Sequence, residues 1–214
     1  TPRIGKPIEI NALWYNALCT AVELRRALDR DADDYEQLAE QVRFSMQLFW
    51  SDELGYCYDV IDAAAGDARD SSLRPNQIIA VALGHCALSA TQERAVVDVC
   101  CRALYTPYGV RSLAPGQPGY AGRYRGNSAE RDSVYHQGTA WAWLVGPLAT
   151  AHLRVYRDKR IARSFLEPLI GHLADFGTGT ICEICDGDPP HTPRGCIAQA
   201  WSVAELLLAW RATA

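Results

Sequence analysis

The chain reads as an all-α protein in which inner helices stand in a ring and outer helices wrap it. Two observations predict this. Segments with helical spacing alternate between apolar on most faces and amphipathic. The connections between them alternate between long and short. In a four-helix bundle every helix would be amphipathic, so the alternation points to two concentric layers.

The elements follow in order. Ile8–Leu28 carries Ile10, Leu13, Trp14, Leu18, Val22 and Leu24 around most of its circumference, which predicts a buried inner helix. Asp34–Trp50 sets Tyr35, Leu38, Val42, Met46 and Phe49 on one face against Glu36, Glu40, Arg43 and Gln47, which predicts an outer helix. Asn76–Leu88 is again nearly all apolar. In Gln92–Leu104, Val96, Val99, Cys100 and Ala103 oppose Arg94, Asp98 and Arg102. Gly138–Tyr156 is apolar. In Ile161–Phe176, Phe165, Leu169, Ile170 and Leu173 point inward. Ile197–Trp210 is apolar to its end. Asp33 or Asp34 and Ser89 are placed to cap the second and fourth helices, and Pro75 opens the third.

Connections from outer to inner helices are long and polar: Ser51–Arg74, Tyr105–Gln137 and Gly177–Gly195. Those from inner to outer helices are short, near Asp29–Asp33, Ser89–Thr91 and Arg157–Lys159. The long loops therefore gather at one end of the ring, where length marks a functional face. Short strands are expected within them at Tyr56–Ile61 and Gly109–Leu113.

Composition narrows the function classes. The 214 residues suit one large domain or a piece of a larger protein, with 49% hydrophobic and 21% charged residues. A formal net charge of -4 argues against a nucleic-acid binder, which usually shows a basic face. No uninterrupted apolar run of about 18 residues or more is present, so no membrane span is expected. The eight cysteines do not form a disulfide framework. Cys19, Cys86, Cys100 and Cys101 fall inside helical pattern, as reduced thiols of a cytoplasmic protein would. The opening Thr1-Pro-Arg-Ile-Gly-Lys6 has neither Met nor a signal-peptide pattern, and a fragment is expected. An inner helix without neighbours on both sides exposes an apolar flank, so self-association of the isolated chain is expected.

Each inner helix begins on the long-loop side with polar and aromatic groups. The first offers Arg3, Lys6, Glu9, Asn11, Trp14 and Tyr15; the second offers Arg74, Asn76 and Gln77. The third offers Tyr135, His136, Gln137 and Trp141. Before the fourth stand Glu183, Asp186, Asp188 and His191. In a ring these sets converge on one cavity. Aromatic faces cover the C–H face of a sugar while amides and guanidiniums bond its hydroxyls, and glycoside chemistry then needs two carboxyl groups flanking the bond. The same last loop has a rival reading, in which Cys182, Cys185, His191 and Cys196 ligate zinc. Its single Cys-x-x-Cys is a modest signal, and the later spacings match no common finger.

Five segments carry a family resemblance. They are Thr1–Leu18, Arg74-Pro-Asn-Gln77, Thr106-Pro-Tyr-Gly-Val-Arg-Ser-Leu113, Tyr135-His-Gln-Gly-Thr-Ala-Trp141 and Asp186–Ser202. In order along nearly the whole chain, they resemble the C-terminal, amylo-α-1,6-glucosidase domain of glycogen debranching enzymes. The resemblance implies an (α/α)6 toroid of glucoamylase type, of which residues 1–214 form the C-terminal portion. It implies inverting hydrolysis of α-1,6-linked glucose in glycogen or another branched α-glucan, without metal or organic cofactor. It implies Glu183 as general base, working with an Asp general acid upstream of Thr1 in the same polypeptide. For inversion the two carboxyls stand about 6.5–9.5 Å apart, leaving room for water. It leaves Arg3, Lys6, Glu9, Trp14, Tyr15, Arg74, Asn76, Gln77, Tyr135, His136, Gln137, Trp141 and Asp188 as substrate-binding residues. Two alternatives stay open: a non-catalytic helical carbohydrate-binding fragment, and a related toroid enzyme acting on another glycoside.

Overall fold

The computed structural model describes residues 3–63, 69–177 and 179–214. Thr1 and Pro2, which open the first motif, lie outside them. The inner helices are α1 (Ile8–Ala27), α3 (Asn76–Ala82), α6 (Val145–Tyr156) and α9 (Ala200–Ala212). They stand side by side as an arc, α1 on α3, α3 on α6 and α6 on α9. Outside them α2 (Asp33–Met46) packs on α1, α4 (Ala90–Ala103) packs on α3 and α6, and α7 (Lys159–Ser164) packs on α6 and leads into α8 (Glu167–Asp175). The two predicted layers are present, in the predicted alternation.

Several boundaries differ from expectation, each for a local reason. The third helix stops at Ala82 rather than Leu88, two residues before Gly84. The sixth segment is two helices, α7 and α8, with Pro168 in the first turn of the second, a position proline suits because its missing N–H has no partner there. Before α6 the chain pairs as a strand at Ala140–Trp141 and then makes a 3-10 turn at Ala142–Leu144. The last helix starts at Ala200, not Ile197. A further helix, α5 (Ser128–Val134), lies in the second long loop; it buries no residue, so no apolar stripe announced it. Ser89 caps α4 through a reciprocal pair with Gln92. Asp33 and Asp34 do not cap α2; they occupy its first turn, where negative charge suits the helix dipole.

The core runs along the arc. Val145, Leu148, Ala149 and Ala151 of α6 are fully buried, with Val96, Val97 and Cys100 of α4 and Ile78 and Val81 of α3. A buried Val or Leu contributes about 1.5–3 kcal/mol, while ion pairs such as Arg43–Glu40 and Arg26–Glu36 are exposed and screened by solvent. Packing along α3, α4 and α6 therefore dominates. Gly146 makes one contact possible: a Cβ there would meet the Glu205 backbone oxygen of α9 at 2.7 Å.

The end helices are not buried as expected. Ile10, Leu13, Trp14 and Leu24 of α1 are exposed, as are Trp201, Leu207 and Leu208 of α9. Middle helices have a neighbour on each side, whereas α1 and α9 each pack on one inner neighbour among the described residues. Tyr35 and Leu38 of α2 and Ile170 of α8 are exposed too, outside the stripes that those helices bury.

The long-loop end is knitted by short antiparallel strands. β1 (Lys6–Pro7), β4 (Val60–Ile61) and β5 (Arg69–Asp70) form one ladder, in the order β1-β4-β5. A second runs β10-β9-β8-β7-β6, from Pro193–Arg194 through Ile184–Cys185, Ala140–Trp141 and Gly109–Arg111 to Tyr105–Thr106. β2 (Trp50–Ser51) pairs β3 (Tyr56–Cys57). No helix among the described residues is long and apolar enough to cross a membrane.

Candidate active site

The ladders bring the starts of the inner helices together. Arg3, Arg74, Asn76, His136 and Trp141 line one cavity of about 380 Å³ with Trp143 and Trp201. The cavity shares Asn76, Trp143 and Trp201 with the concave inner face of the arc, a groove of about 720 Å³. His136 and Trp141 stack at 4.8 Å, and Tyr135 tilts against both at 4.9 Å. Trp143 stacks on Trp201 at 4.1 Å across the α6–α9 side.

The charges in this cavity are tied down. Arg3 donates to both oxygens of Glu9, at 2.6 and 2.9 Å, and to Asp59 Oδ2 at 2.6 Å. Burial works against its charge, but hydrogen bonds to Glu9 and Asp59 outweigh burial and raise its pKa. Arg74 is buried and donates to the carbonyls of Ser112 (3.0 Å) and His136 (2.7 Å) and to Gln137 Oε1 (2.7 Å). Burial lowers its pKa, opposed in part by Asp59. Two cations thus meet two carboxylates, Glu9 and Asp59, leaving the cavity close to neutral.

Two donors in the lining have no acceptor. Arg74 Nε and Trp141 Nε1 are buried without a hydrogen-bond partner. A buried unpaired donor costs about 1–3 kcal/mol, and here two of them belong to side chains that line one cavity.

Glu183 stands on the next edge, just before β9. Its Oε1 accepts from the Tyr135 hydroxyl at 2.6 Å, and its Oε2 accepts from the Cys196 backbone N–H at 3.1 Å. Its own backbone is held by Cys196 and Ala142. Gly195 has φ +64°, and a Cβ there would collide with Glu183 Oε2, so glycine is what lets the carboxylate sit in this position. Burial and the bond to Glu183 raise the Tyr135 pKa, keeping its proton in place as a donor. Each carboxylate oxygen keeps a free lone pair. Glu183 opens on a second hollow of about 650 Å³, lined also by Tyr124, Arg125, Arg131 and Arg194. Tyr135 is therefore the link between cavity and carboxylate.

Other residues from the sequence set lie elsewhere. Lys6 is exposed and pairs with Asp62. Trp14 is on the open flank of α1, and Tyr15 packs toward α2 beside Cys19. Gln77 is buried and bonds the Cys57 N–H and the Arg74 carbonyl. Asp188 accepts from the Tyr120 hydroxyl at 2.8 Å, bracing the loop, and buried Asp186 binds Arg194 and the Tyr124 N–H. Gln137 touches the cavity only through Arg74. None of Lys6, Trp14, Tyr15, Gln77 or Asp188 lines the cavity.

The zinc ligands of the rival reading are not gathered. Cys182 and Cys185 are buried with sulfurs 3.6 Å apart, the hydrogen bond between them drawing the Cys182 pKa below the usual thiol range. His191 faces the Asp186 carbonyl, while Cys196 is exposed. No cluster of three or more candidate ligands occurs among the described residues.

Sequence reasoning missed Asp59, Ser112, Trp143 and Trp201. Trp143 and Trp201 fell inside segments read as core. Asp59 sat in an expected strand, and nothing local linked it to Arg3, 56 positions away.

The fold has counterparts among solved structures. A GH63 mannosylglycerate hydrolase from Thermus thermophilus, in complex with glucose, superposes with a TM-score of 0.71 at 17% identity, over 96% of this chain and 47% of that one. The neutral trehalase of Saccharomyces cerevisiae gives 0.66 at 17% identity, over 96% and 37%. A family 15 glucoamylase from Hypocrea jecorina gives 0.55 at 18%, over 96% and 41%. The chain thus spans less than half the length of these structures, and it shares with them part of an (α/α)6 toroid. Residues 1–208 match the family model described as amylo-alpha-1,6-glucosidase, and the chain belongs to that family.

Proposed function

We propose that this chain is the C-terminal part of a glycosidase module that removes α-1,6-linked glucose from glycogen-like branched glucans with inversion. The observation that carries the reading is the near-neutral, aromatic-lined cavity with unpartnered donors at Arg74 and Trp141, joined through Tyr135 to Glu183. A neutral sugar ring suits it: stacked aromatics cover C–H faces, and the free N–H groups bond hydroxyls. Glu183, ionised, takes a proton from a water as that water attacks C1 from the face opposite the leaving oxygen. A carboxylic acid elsewhere in the polypeptide gives its proton to that oxygen as the C–O bond breaks. The exposed flanks of α1 and α9 suit packing against further helices of the same polypeptide.

A second reading, hydrolysis of an anionic glycoside, draws on Arg125, Arg131 and Arg194 around the hollow beside Glu183. It also draws on the mannosylglycerate hydrolase likeness. One experiment separates the readings. The full-length protein is given a branched limit dextrin, trehalose and mannosylglycerate, and products are followed by NMR. β-Glucose appearing first, and only from the dextrin, is expected. Release from mannosylglycerate alone favours the second reading, and α-glucose appearing first from the dextrin excludes inversion.

A further inference from the structure

We propose that Asp59 is the positioning residue of the sugar cavity, holding Arg3 and Asn76 in place and supplying the negative charge that Arg74 needs; this rests on the sugar-binding reading above. Its carboxylate is buried and reaches residues contributed by different elements. Oδ2 accepts from Arg3 Nε at 2.6 Å, and Oδ1 accepts from Asn76 Nδ2 at 2.7 Å. Arg74 Nε, one of the two donors left free, lies 3.9 Å from Oδ2, near enough for charge but not for a hydrogen bond.

The Asp59 backbone explains why it can act as a reference point. Its N–H donates to the Asp70 carbonyl at 2.8 Å, and its carbonyl accepts from Ile8 N–H at 3.1 Å, at the first residue of α1. The strand that follows it, β4, is paired on both edges, by β1 and β5. The carboxylate is thus fixed between the start of α1 and the start of α3, the two elements whose relative placement sets one wall of the cavity.

Charge makes the role more than mechanical. The charged groups facing Asp59 are Arg3 and Arg74, against Glu9. Asp70, on the neighbouring strand, acts on Arg74. Without Asp59, Arg3 keeps only Glu9, and Arg74 keeps the more distant Asp70 but has lost the carboxylate nearest its Nε. Burial raises the Asp59 pKa, with Arg3 and the Asn76 hydrogen bond opposing the rise. Affinity for a neutral sugar therefore holds while Asp59 is ionised and is lost as pH falls through its raised pKa.

The test titrates the full-length protein with isomaltose by calorimetry across acid and neutral pH. The wild type should lose affinity on acidification. Asp59→Asn should bind about tenfold or more weakly at neutral pH, the scale of one lost charge-assisted hydrogen bond, and its affinity should no longer follow pH. Asn76→Ala removes a donor that favours the ionised carboxylate, so its acid loss of affinity should begin at higher pH. Wild-type affinity and an unchanged acid limb in Asp59→Asn overturn the proposal. If that variant does not fold, an unmoved acid limb in Asn76→Ala does the same. A wild type that does not bind isomaltose at any pH overturns the sugar reading itself, and this role for Asp59 with it.

Discussion

The cavity and the Glu183 edge adjoin, yet they are built by different physics. In the cavity, side chains from distant segments hold one another: Arg3 with Glu9 and Asp59, Asp59 with Asn76, Arg74 with Gln137. At the Glu183 edge the main chain does most of the holding, through the strand ladder and the Cys196 N–H, with one tyrosine added. A side-chain network can be tuned in charge but fails when one member is lost. A backbone frame tolerates side-chain change but fixes a single carboxylate rigidly. The proposed sugar recognition sits in the first and the proposed proton transfer in the second.

The contrast can be broken at three points. Glu183→Gln in the full-length protein keeps the shape and one acceptor oxygen but cannot take a proton. Glucose release from a branched dextrin should fall by about 10²–10⁴-fold or more, with isomaltose affinity nearly unchanged. Turnover at the wild-type rate would remove Glu183 from the base role. Arg74→Met keeps length but strips the guanidinium N–H groups from buried acceptors and leaves Asp59 short of charge. A loss of about 3–5 kcal/mol in denaturant unfolding is expected from a broken buried network, together with weaker sugar binding. Stability within about 0.5 kcal/mol of wild type would show that the cavity is not held by its charges. Cys196→Ala should do least. Glu183 is held by the Cys196 backbone N–H, and the side chain is exposed. Activity within about twofold is expected, well under the tenfold that 1.4 kcal/mol would cost; a tenfold loss would mean that the thiol itself takes part.

Much of the architecture was legible because a helix repeats its face every 3.6 residues. Over some 15 residues this separates α4, with one apolar stripe, from α6, with several. Strands of two residues have no such period, and the five-stranded ladder that carries Glu183 was largely invisible. α5 lacked an apolar face, but Asn127 and Glu130 form a capping box that spacing alone could have suggested. The cavity was legible in type and partly in membership. Arg3, Arg74, Asn76, His136 and Trp141 do meet. Trp14 and Tyr15 did not join them, since the direction in which a residue faces on an apolar-all-round helix cannot be read from composition. Asp59 was hidden because its meaning lies in partners far along the chain.

The arc of inner helices also divides the cavity by origin. Each inner helix rests on its inner neighbours, as units of a solenoid do. Arg3 and Glu9 belong to the α1 side, while Asn76 opens α3 and the stacked His136 and Trp141 stand before α6. A sugar bridging these sides would act as a clasp, making the alignment of neighbouring helices and the holding of the ligand a single event.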